Sequence, residues 1–354
     1  MFKDKESVAV IPACDSAQTL QQTYNEIISE TTDELYNRNS CSFCGAGQSL
    51  RLYLTYSISG ENFYLNRCLT CRAVFLNPRP TQQQIDRAYD DAYYGMGEGK
   101  FASCIERVLD LFRRARAAMV SNYIKPPAKI LDIGCGSGRF LNYMIKQGFA
   151  SYGIELPGKA AEMAGKIEGL NLKVGRITRQ DYDEGFFDGV CMWHVFEHLT
   201  KPKETLHIIR EILKPGGYLM MSLPNIDSVQ SRLFRGKWFH LDPPKHLFFT
   251  GASDLISEMQ ELGFKLIRQK YFSMEQNPFG IQQSILNCFL RKREVFFESL
   301  KGNSEYIKEY SRFSIMLQRI FFLSTFPFFA LLAWVEAAFK KGGTMEFVFK
   351  KERA

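Results

Sequence analysis

Three features of the sequence predict an α/β fold, a parallel sheet covered by helices on both faces. From Lys129 onward, apolar strand-like segments alternate with helix-like ones. The first of these strands runs straight into a glycine turn, "KILDIGCGSGRFL". A Cys-x-x-Cys pair on either side of a β-rich stretch marks a separate small module ahead of the sheet.

The elements follow in order. Residues 1–38 form a weakly helical N-terminal segment. Residues 39–80 are the cysteine module, from "CSFCGAG" to "CLTCRAVFLNPRP", closed by Pro78 and Pro80. Residues 81–125 carry a helical pattern broken by "YYGMGEGK" and ended by "KPPAK", which reads as a lid or linker. In the core, residues 126–274, strands are expected at 129–133, 150–155, 170–174, 186–193 and 217–223. Helices are expected at 138–147, 158–168 and 201–213. A further helix, "SDLISEMQELGF", takes Ser253 as N-cap, and the strand "KLIRQKYFS" follows it. Residues 275–342 are a largely helical insertion, and 343–354 return as a final strand, "GGTMEFVFKK".

Composition narrows the class. With 45% hydrophobic and 23% charged residues the chain is an ordinary globular protein rather than a disordered or fibrous one. The net charge of +7 is uneven: Glu275–Ala354 holds 12 Lys/Arg against 8 Asp/Glu. That excess suits an anionic surface or substrate and is too weak to argue for nucleic acid. "MFKDKESVAVIPACDS" has no basic segment followed by an apolar one, so no secretory signal is read and a cytoplasmic protein is expected. In a reducing compartment, paired cysteines more often bind metal than form disulfides.

In Gly134-x-Gly136-x-Gly138 the missing Cβ atoms permit a sharp turn and close approach of a ligand to main-chain N–H groups. A phosphate-binding loop would need a Lys-Ser/Thr pair, which is missing. A dinucleotide fingerprint would need a small residue where Arg139 stands.

"LDIGCGSG" resembles motif I of the class I S-adenosylmethionine (SAM)-dependent methyltransferases. "YGIEL" is similar to their second motif, whose strand-ending acid would be Glu155, 17 residues beyond Gly138. "FFDGVCMWHVFEHLTKP" and "LKPGGYLMMSLPN" resemble the segments around strands four and five. The resemblance implies a Rossmann-like, mostly parallel seven-stranded sheet with an antiparallel last strand. It also implies that Asp132, Gly134, Cys135, Gly136, Gly138, Glu155 and His194 bind SAM, with Glu155 on the ribose. Relatives often place an acid after strand three to meet the adenine. Here Arg176, Thr178 and Asp181 are the nearest residues and none is assigned that contact.

Cys41-x-x-Cys44 and Cys68-x-x-Cys71, 23 residues apart, supply four thiolates that can converge on Zn²⁺. Four thiolates leave no open position, so such a site is structural; a redox dithiol or plain buried cysteines are the alternatives. Some sugar C-methyltransferases of the resembled group begin with such a module. "NPRPTQQQIDRAYDDAYYG" is similar to their following lid, which makes Tyr89, Tyr93 and Tyr94 lid candidates.

Methyl transfer is an in-line displacement that needs an aligned nucleophile and, for an oxygen acceptor, a base. Ligands of parallel sheets sit beyond the carboxyl ends of the strands. His194 follows strand four there, with His198 sharing its face if the stretch is helical. His240 and His246, in "WFHLDPPKHLFF", follow strand five. These four histidines are the candidate bases, and His207 reads as structural.

"IFFLSTFPFFALLAWV", 320–335, has no charge over 16 residues and contains Pro327. Because the strands on either side of the insertion belong to one sheet, a single crossing would separate them. The stretch is therefore expected to be buried, re-entrant or interfacial, with Arg312, Arg319, Lys340 and Lys341 suiting anionic headgroups. The whole reads as a SAM-dependent methyltransferase acting on a saccharide, lipid-linked or related small molecule at oxygen. Carbon methylation of a nucleotide-linked sugar and a non-catalytic zinc-containing adaptor are the alternatives. No nucleic acid is expected, since "DPPK" ends in Lys245 where amino-methylating enzymes carry an aromatic residue.

Overall fold

The computed structural model describes residues 39–89 and 103–353. The segment 1–38, Tyr93 and Tyr94 lie outside the described residues. The cysteine module is β1 (Ser49–Tyr56), β2 (Asn62–Cys68) and β3 (Val74–Asn77). Helices α1 (Gln82–Ala88) and α2 (Ser103–Tyr123) precede the core. The core runs β4 (Lys129–Ile133), α3 (Arg139–Lys146), β5 (Ala150–Glu155), α4 (Lys159–Ala164), β6 (Leu170–Val174), β7 (Phe187–Trp193), α5 (Pro202–Ile212) and β8 (Leu213–Pro224). After α6 (Val229–Phe234) come β9 (Phe248–Phe249), α7 (Ala252–Glu261) and β10 (Phe264–Lys270). Four helices follow, α8 (Asn277–Phe289), α9 (Val295–Lys301), α10 (Ser304–Ile307) and α11 (Arg312–Ala338), and β11 (Thr344–Lys351) closes the chain.

The main sheet is Rossmann-like, with seven strands ordered β10-β11-β8-β7-β4-β5-β6. β11 alone is antiparallel, pairing β8 on one side and β10 on the other. β4 pairs in parallel with both β5 and β7. The chain therefore moves outward from β4 to β6 and then crosses back, which opens a crevice between the ends of β4 and β7. Strand and helix boundaries differ little from those read in the sequence, with three exceptions, one of them α4, which ends at Ala164 with Gly165 as its C-cap and not at residue 168. β8 begins at Leu213, because Leu213 already pairs with Phe187. α7 begins at Ala252 with Gly251 as its N-cap, so Ser253 lies inside the helix. His207 is exposed on α5.

A smaller sheet, β1-β2-β3-β9, joins the cysteine module to the chain after β8. Two residues of β9 pair with β3. Phe43, inside the first Cys-x-x-Cys, packs on Phe248 and Phe196 at ring-centroid distances of 5.5 and 6.3 Å. One apolar cluster therefore runs from Cys41 and Cys68 through Phe248 into β7 and β8. The buried guanidinium of Arg293 donates to the carbonyls of Tyr56 (2.7 Å) and Trp238 (3.1 Å), which ties the helical insertion to both.

Of the three expectations for 320–335, buried, re-entrant or interfacial, α11 removes the first. It is one 27-residue helix, long and apolar enough to cross a membrane, with 17% of its most apolar window buried. Ile315, Gln318, Ala333 and Glu336 face the protein, whereas Leu323, Phe328, Leu331 and Trp334 are exposed. Pro327 does not break the helix. Proline removes a donor and crowds the preceding turn, a stretch in which side chains bond to three main-chain carbonyls. Ser324 donates to Ile320, Thr325 to Phe321 and Gln282 to Phe322.

Phe248 is the side chain through which module and core share their packing. Phe248→Ala is expected to cost about 3–5 kcal/mol, read as a lower urea midpoint at unchanged slope. An unchanged midpoint would show that the two units pack independently.

Candidate functional site

The glycine turn bridges β4 and α3. Gly134, Gly136 and Gly138 all have positive φ, between 58° and 72°. An added Cβ at Gly134 would stand 2.5 Å from Val195 Cγ2, so this turn lies directly against the one that follows β7. At Gly136 an added Cβ meets nothing within 4 Å. The Glu155 carboxylate accepts from the N–H groups of Gly136 (2.6 Å) and Leu156 (3.0 Å), tying the end of β5 to the loop.

Asp132, at the end of β4, is buried and its Oδ1 has no hydrogen-bond partner. Burial, and then the neighbouring Glu155, push its carboxyl well above the usual range, with Arg116 opposing. Burial likewise raises Glu155 and Cys135. A crevice with two buried acids, one of them orphaned, beside open space over a glycine suits a cationic ligand that approaches main chain. SAM, with its ammonium and sulfonium groups, fits that description. The stretch after β6 is committed elsewhere: Arg176 donates to Thr200 Oγ1, and Asp181 pairs with Lys173 and accepts from the Thr178 N–H.

Val195 leads into a short 3₁₀ turn, Phe196–His198. His194 sits at φ 55° with its N–H on the Ser222 carbonyl. It therefore shares no helical face with His198. Both histidines instead surround Glu197, a residue that the sequence reading passed over. Glu197 is 1% exposed. Its Oε1 stands 3.6 Å from His194 Nδ1 and 3.9 Å from His246 Nε2, and neither of its oxygens makes a hydrogen bond. The signal for it was a lone acid inside the apolar run "WHVFEHL".

His246 arrives from a distant part of the chain. The Leu247 N–H donates to the Glu197 carbonyl (2.8 Å), and the Leu76 N–H donates to the Leu247 carbonyl (3.1 Å). His246 Nδ1 lies 2.8 Å from the His240 carbonyl. His198 Nδ1 lies 3.0 Å from the Lys245 carbonyl and 2.8 Å from the Tyr89 hydroxyl. The rings of His198 and His246 meet edge to face at 4.5 Å. The His240 ring is turned aside, its Nε2 2.5 Å from a Cβ built on Gly280 of α8.

Burial, reinforced by its neighbour His246, holds His198 down at about 3. Burial, with His194 next, does the same for His240, and burial lowers His246. Burial opposes the charge on Glu197, yet the nearby imidazoles hold its carboxyl below the usual range.

The cysteine module builds a second centre. Cys41 Sγ lies 3.6 Å from Cys71 Sγ, and Cys44 Sγ the same distance from Cys68 Sγ, with all four within 4.8 Å. Zn–S bonds of about 2.3 Å in a tetrahedron give S···S spacings of about 3.8 Å, so this donor set fits Zn²⁺. The two halves repeat one another. Gly45 and Arg72, both left-handed, donate to the carbonyls of Cys41 and Cys68, while Cys41 and Cys68 donate to Ala46 and Ala73. The hydrogen bond between Cys41 and Cys71 pulls Cys41 down to about 5 and pushes Cys71 up.

Comparisons with known proteins accord with this geometry. Residues 101–269 match a family model described as "Methyltransferase domain". A ubiquinone biosynthesis O-methyltransferase of Alkalilimnicola ehrlichii is 33% identical over 104 residues, covering 27% of this chain and 42% of that protein. An uncharacterized protein of Methanocaldococcus jannaschii is 26% identical over 144 residues, 40% of this chain and 67% of that one. The chain spans about half the length of most of the curated relatives it matches. Among solved structures, a putative sarcosine dimethylglycine methyltransferase from Galdieria sulphuraria aligns over 75% of this chain and 98% of its own. Its TM-score is 0.45 at 17% identity.

The contact between the two turns is testable. Gly134→Ala adds both a clash with Val195 and a left-handed alanine, and is expected to destabilise the protein by about 2–4 kcal/mol. Gly134→Ala combined with Val195→Ala should recover the steric part and leave about 1–2 kcal/mol. Strictly additive losses in a double-mutant cycle of denaturation midpoints would show that the turns do not touch.

Proposed function

We propose that residues 101–269, which match the methyltransferase-domain family model, form a class I SAM-dependent methyltransferase domain, and that the chain methylates a hydroxyl oxygen of a saccharide, lipid-linked or related small-molecule acceptor. The observation that supports this reading is the contact of Gly134 with Val195. It sets a crevice suited to SAM beside a turn rich in proton acceptors.

SAM supplies an electrophilic methyl group on a sulfonium. On this reading Asp132 faces its ammonium group, Glu155 the ribose, and Gly134–Gly138 the methionine side. His194, 22% exposed at its side chain, takes the proton of the acceptor hydroxyl. The freed oxygen pair forms a bond to the methyl carbon, and the pair of the breaking C–S bond stays on sulfur. The Glu197 carboxylate beside His194 stabilises the imidazolium that results. The four cysteines hold a structural Zn²⁺. Through Phe43 and Phe196 that centre braces the turn bearing Glu197.

Calorimetry with SAM and S-adenosylhomocysteine tests the cofactor half. Binding is expected, with Glu155→Ala weaker by tenfold or more, since a hydrogen bond to a charged group contributes about 1.5–3 kcal/mol. Absence of binding would favour the adaptor reading. Labelled SAM offered to nucleotide-sugars and lipid extracts tests the acceptor half. His194→Ala should lose about 10²–10⁴ in turnover at saturating SAM.

The exposed apolar face of α11, with Arg312, Arg319 and Lys340 exposed beside it, is proposed to lie in the surface of an anionic membrane where such an acceptor is presented. The protein should sediment with anionic liposomes, and Leu323→Glu with Trp334→Glu should abolish this while SAM binding persists. A wild-type protein left in the supernatant would remove the membrane from the proposal.

A further inference from the structure

The environment of Glu197 asks for something that the chain itself does not provide. A buried carboxylate ordinarily recovers the cost of burial through hydrogen bonds, and an unpaired one is expensive. Here both oxygens lack a donor. Two of the imidazoles nearby spend their N–H on main-chain carbonyls instead. His246 Nδ1 is 2.8 Å from the His240 carbonyl, an oxygen that only accepts, so Nδ1 carries the proton and Nε2 offers a lone pair toward Glu197. His198 Nδ1 is likewise 3.0 Å from a carbonyl, that of Lys245. Lone pairs on two rings and a carboxylate thus converge with no proton between them.

That convergence is the arrangement of a metal centre. Imidazoles that ligate through one nitrogen are commonly oriented through the other by a carbonyl or carboxylate. The donor atoms of Glu197, His198 and His246 all lie within 4.8 Å of one another. Two donors each about 2.1 Å from an ion stand about 3.0–3.6 Å apart at angles of 90–120°. Closing the 3.9 Å separation of His246 Nε2 and Glu197 Oε1 to that range needs a shift of a few tenths of an ångström. We propose that Glu197, His198 and His246 form a second, open metal site that takes a divalent transition ion, Mn²⁺, Fe²⁺, Co²⁺ or Zn²⁺, through one carboxylate and two imidazoles.

The donor chemistry separates this centre from the cysteine quartet. Imidazole with carboxylate suits borderline and harder ions, whereas four thiolates suit Zn²⁺. Three protein donors leave positions free on the ion, at the mouth where the proposed function brings the acceptor. In that respect the inference rests on that reading: the class of acceptor it adds is one with an oxygen able to coordinate, a hydroxyl or a pair of adjacent hydroxyls. His194, more exposed and at 3.6 Å from Glu197 Oε1, stays outside the ligand set.

The test uses the full chain, purified and zinc-replete, titrated with Mn²⁺ and followed by the loss of the free-ion paramagnetic resonance signal. One Mn²⁺ per chain is expected beyond the cysteine-bound metal. Glu197→Gln and His246→Gln should each weaken binding at least tenfold, while His207→Gln, on the exposed face of α5, leaves the affinity unchanged. Thermal melts and SAM affinity identify variants that have not folded, and His198→Asn provides a third independent ligand change. A wild-type chain that takes up neither Mn²⁺ nor a second Zn²⁺ would overturn the proposal, as would Glu197→Gln binding with wild-type affinity. Bound SAM with no second metal would leave the methyltransferase reading standing, and a second metal without SAM binding would do the reverse.

Discussion

A carboxylate buried to 1% without a hydrogen bond is the constraint around which this molecule is organised. Glu197 keeps its charge because imidazoles crowd it from several directions, and each ring is held by a different part of the chain. His194 ends β7, His198 is tied to the Lys245 carbonyl and Tyr89, and His246 is held by the carbonyl of His240. Loss of any one anchor would leave a charge in an apolar interior with less to offset it, a situation that costs several kcal/mol.

Those anchors explain why the cysteine module is built into the core rather than appended to it. Phe43 projects from the first Cys-x-x-Cys onto Phe196, the residue before Glu197, and onto Phe248, two residues after His246. The backbone repeats the link, from Leu76 to Leu247 and from Leu247 to Glu197. The paired knuckle turns hold Phe43 in place, and Phe43 packs where the Glu197 turn and the His246 segment meet. On the other side of that turn, Val195 lies against Gly134, so the same few residues also limit how the cofactor loop can sit.

The helical insertion uses sheet topology differently. It leaves the core after β10 and returns as β11, which pairs with β10 itself, so both of its ends are pinned to one sheet edge. Glu336 near the end of α11 accepts from Gln230 of α6, and Gln282 of α8 donates to the Phe322 carbonyl in the turn before Pro327. The helix is held along one stripe and carries its apolar residues outward, a geometry that a helix lying along a surface satisfies and one that packs within the core does not.

Local pattern sufficed for much of this. The β-α-β rhythm, the closing strand and the two Cys-x-x-Cys pairs were legible because strand periodicity, glycine φ preferences and knuckle spacing are properties of neighbouring residues; that the closing strand runs antiparallel was implied only by the family resemblance. Gly134, Gly136, Gly138, Glu155 and the four cysteines stand on elements whose positions the sequence determined. Tertiary structure alone decided which residues meet. His246 and Tyr89 lie on either side of His198 in the fold but 48 and 109 residues from it in the chain. Their meeting depends on β9 joining β3, a two-residue pairing with no periodic signal. Glu197 escaped notice for the same reason. A carboxylate in an apolar turn has meaning only once burial and its distant partners are known, because its energy is set by the whole environment and not by its neighbours in sequence.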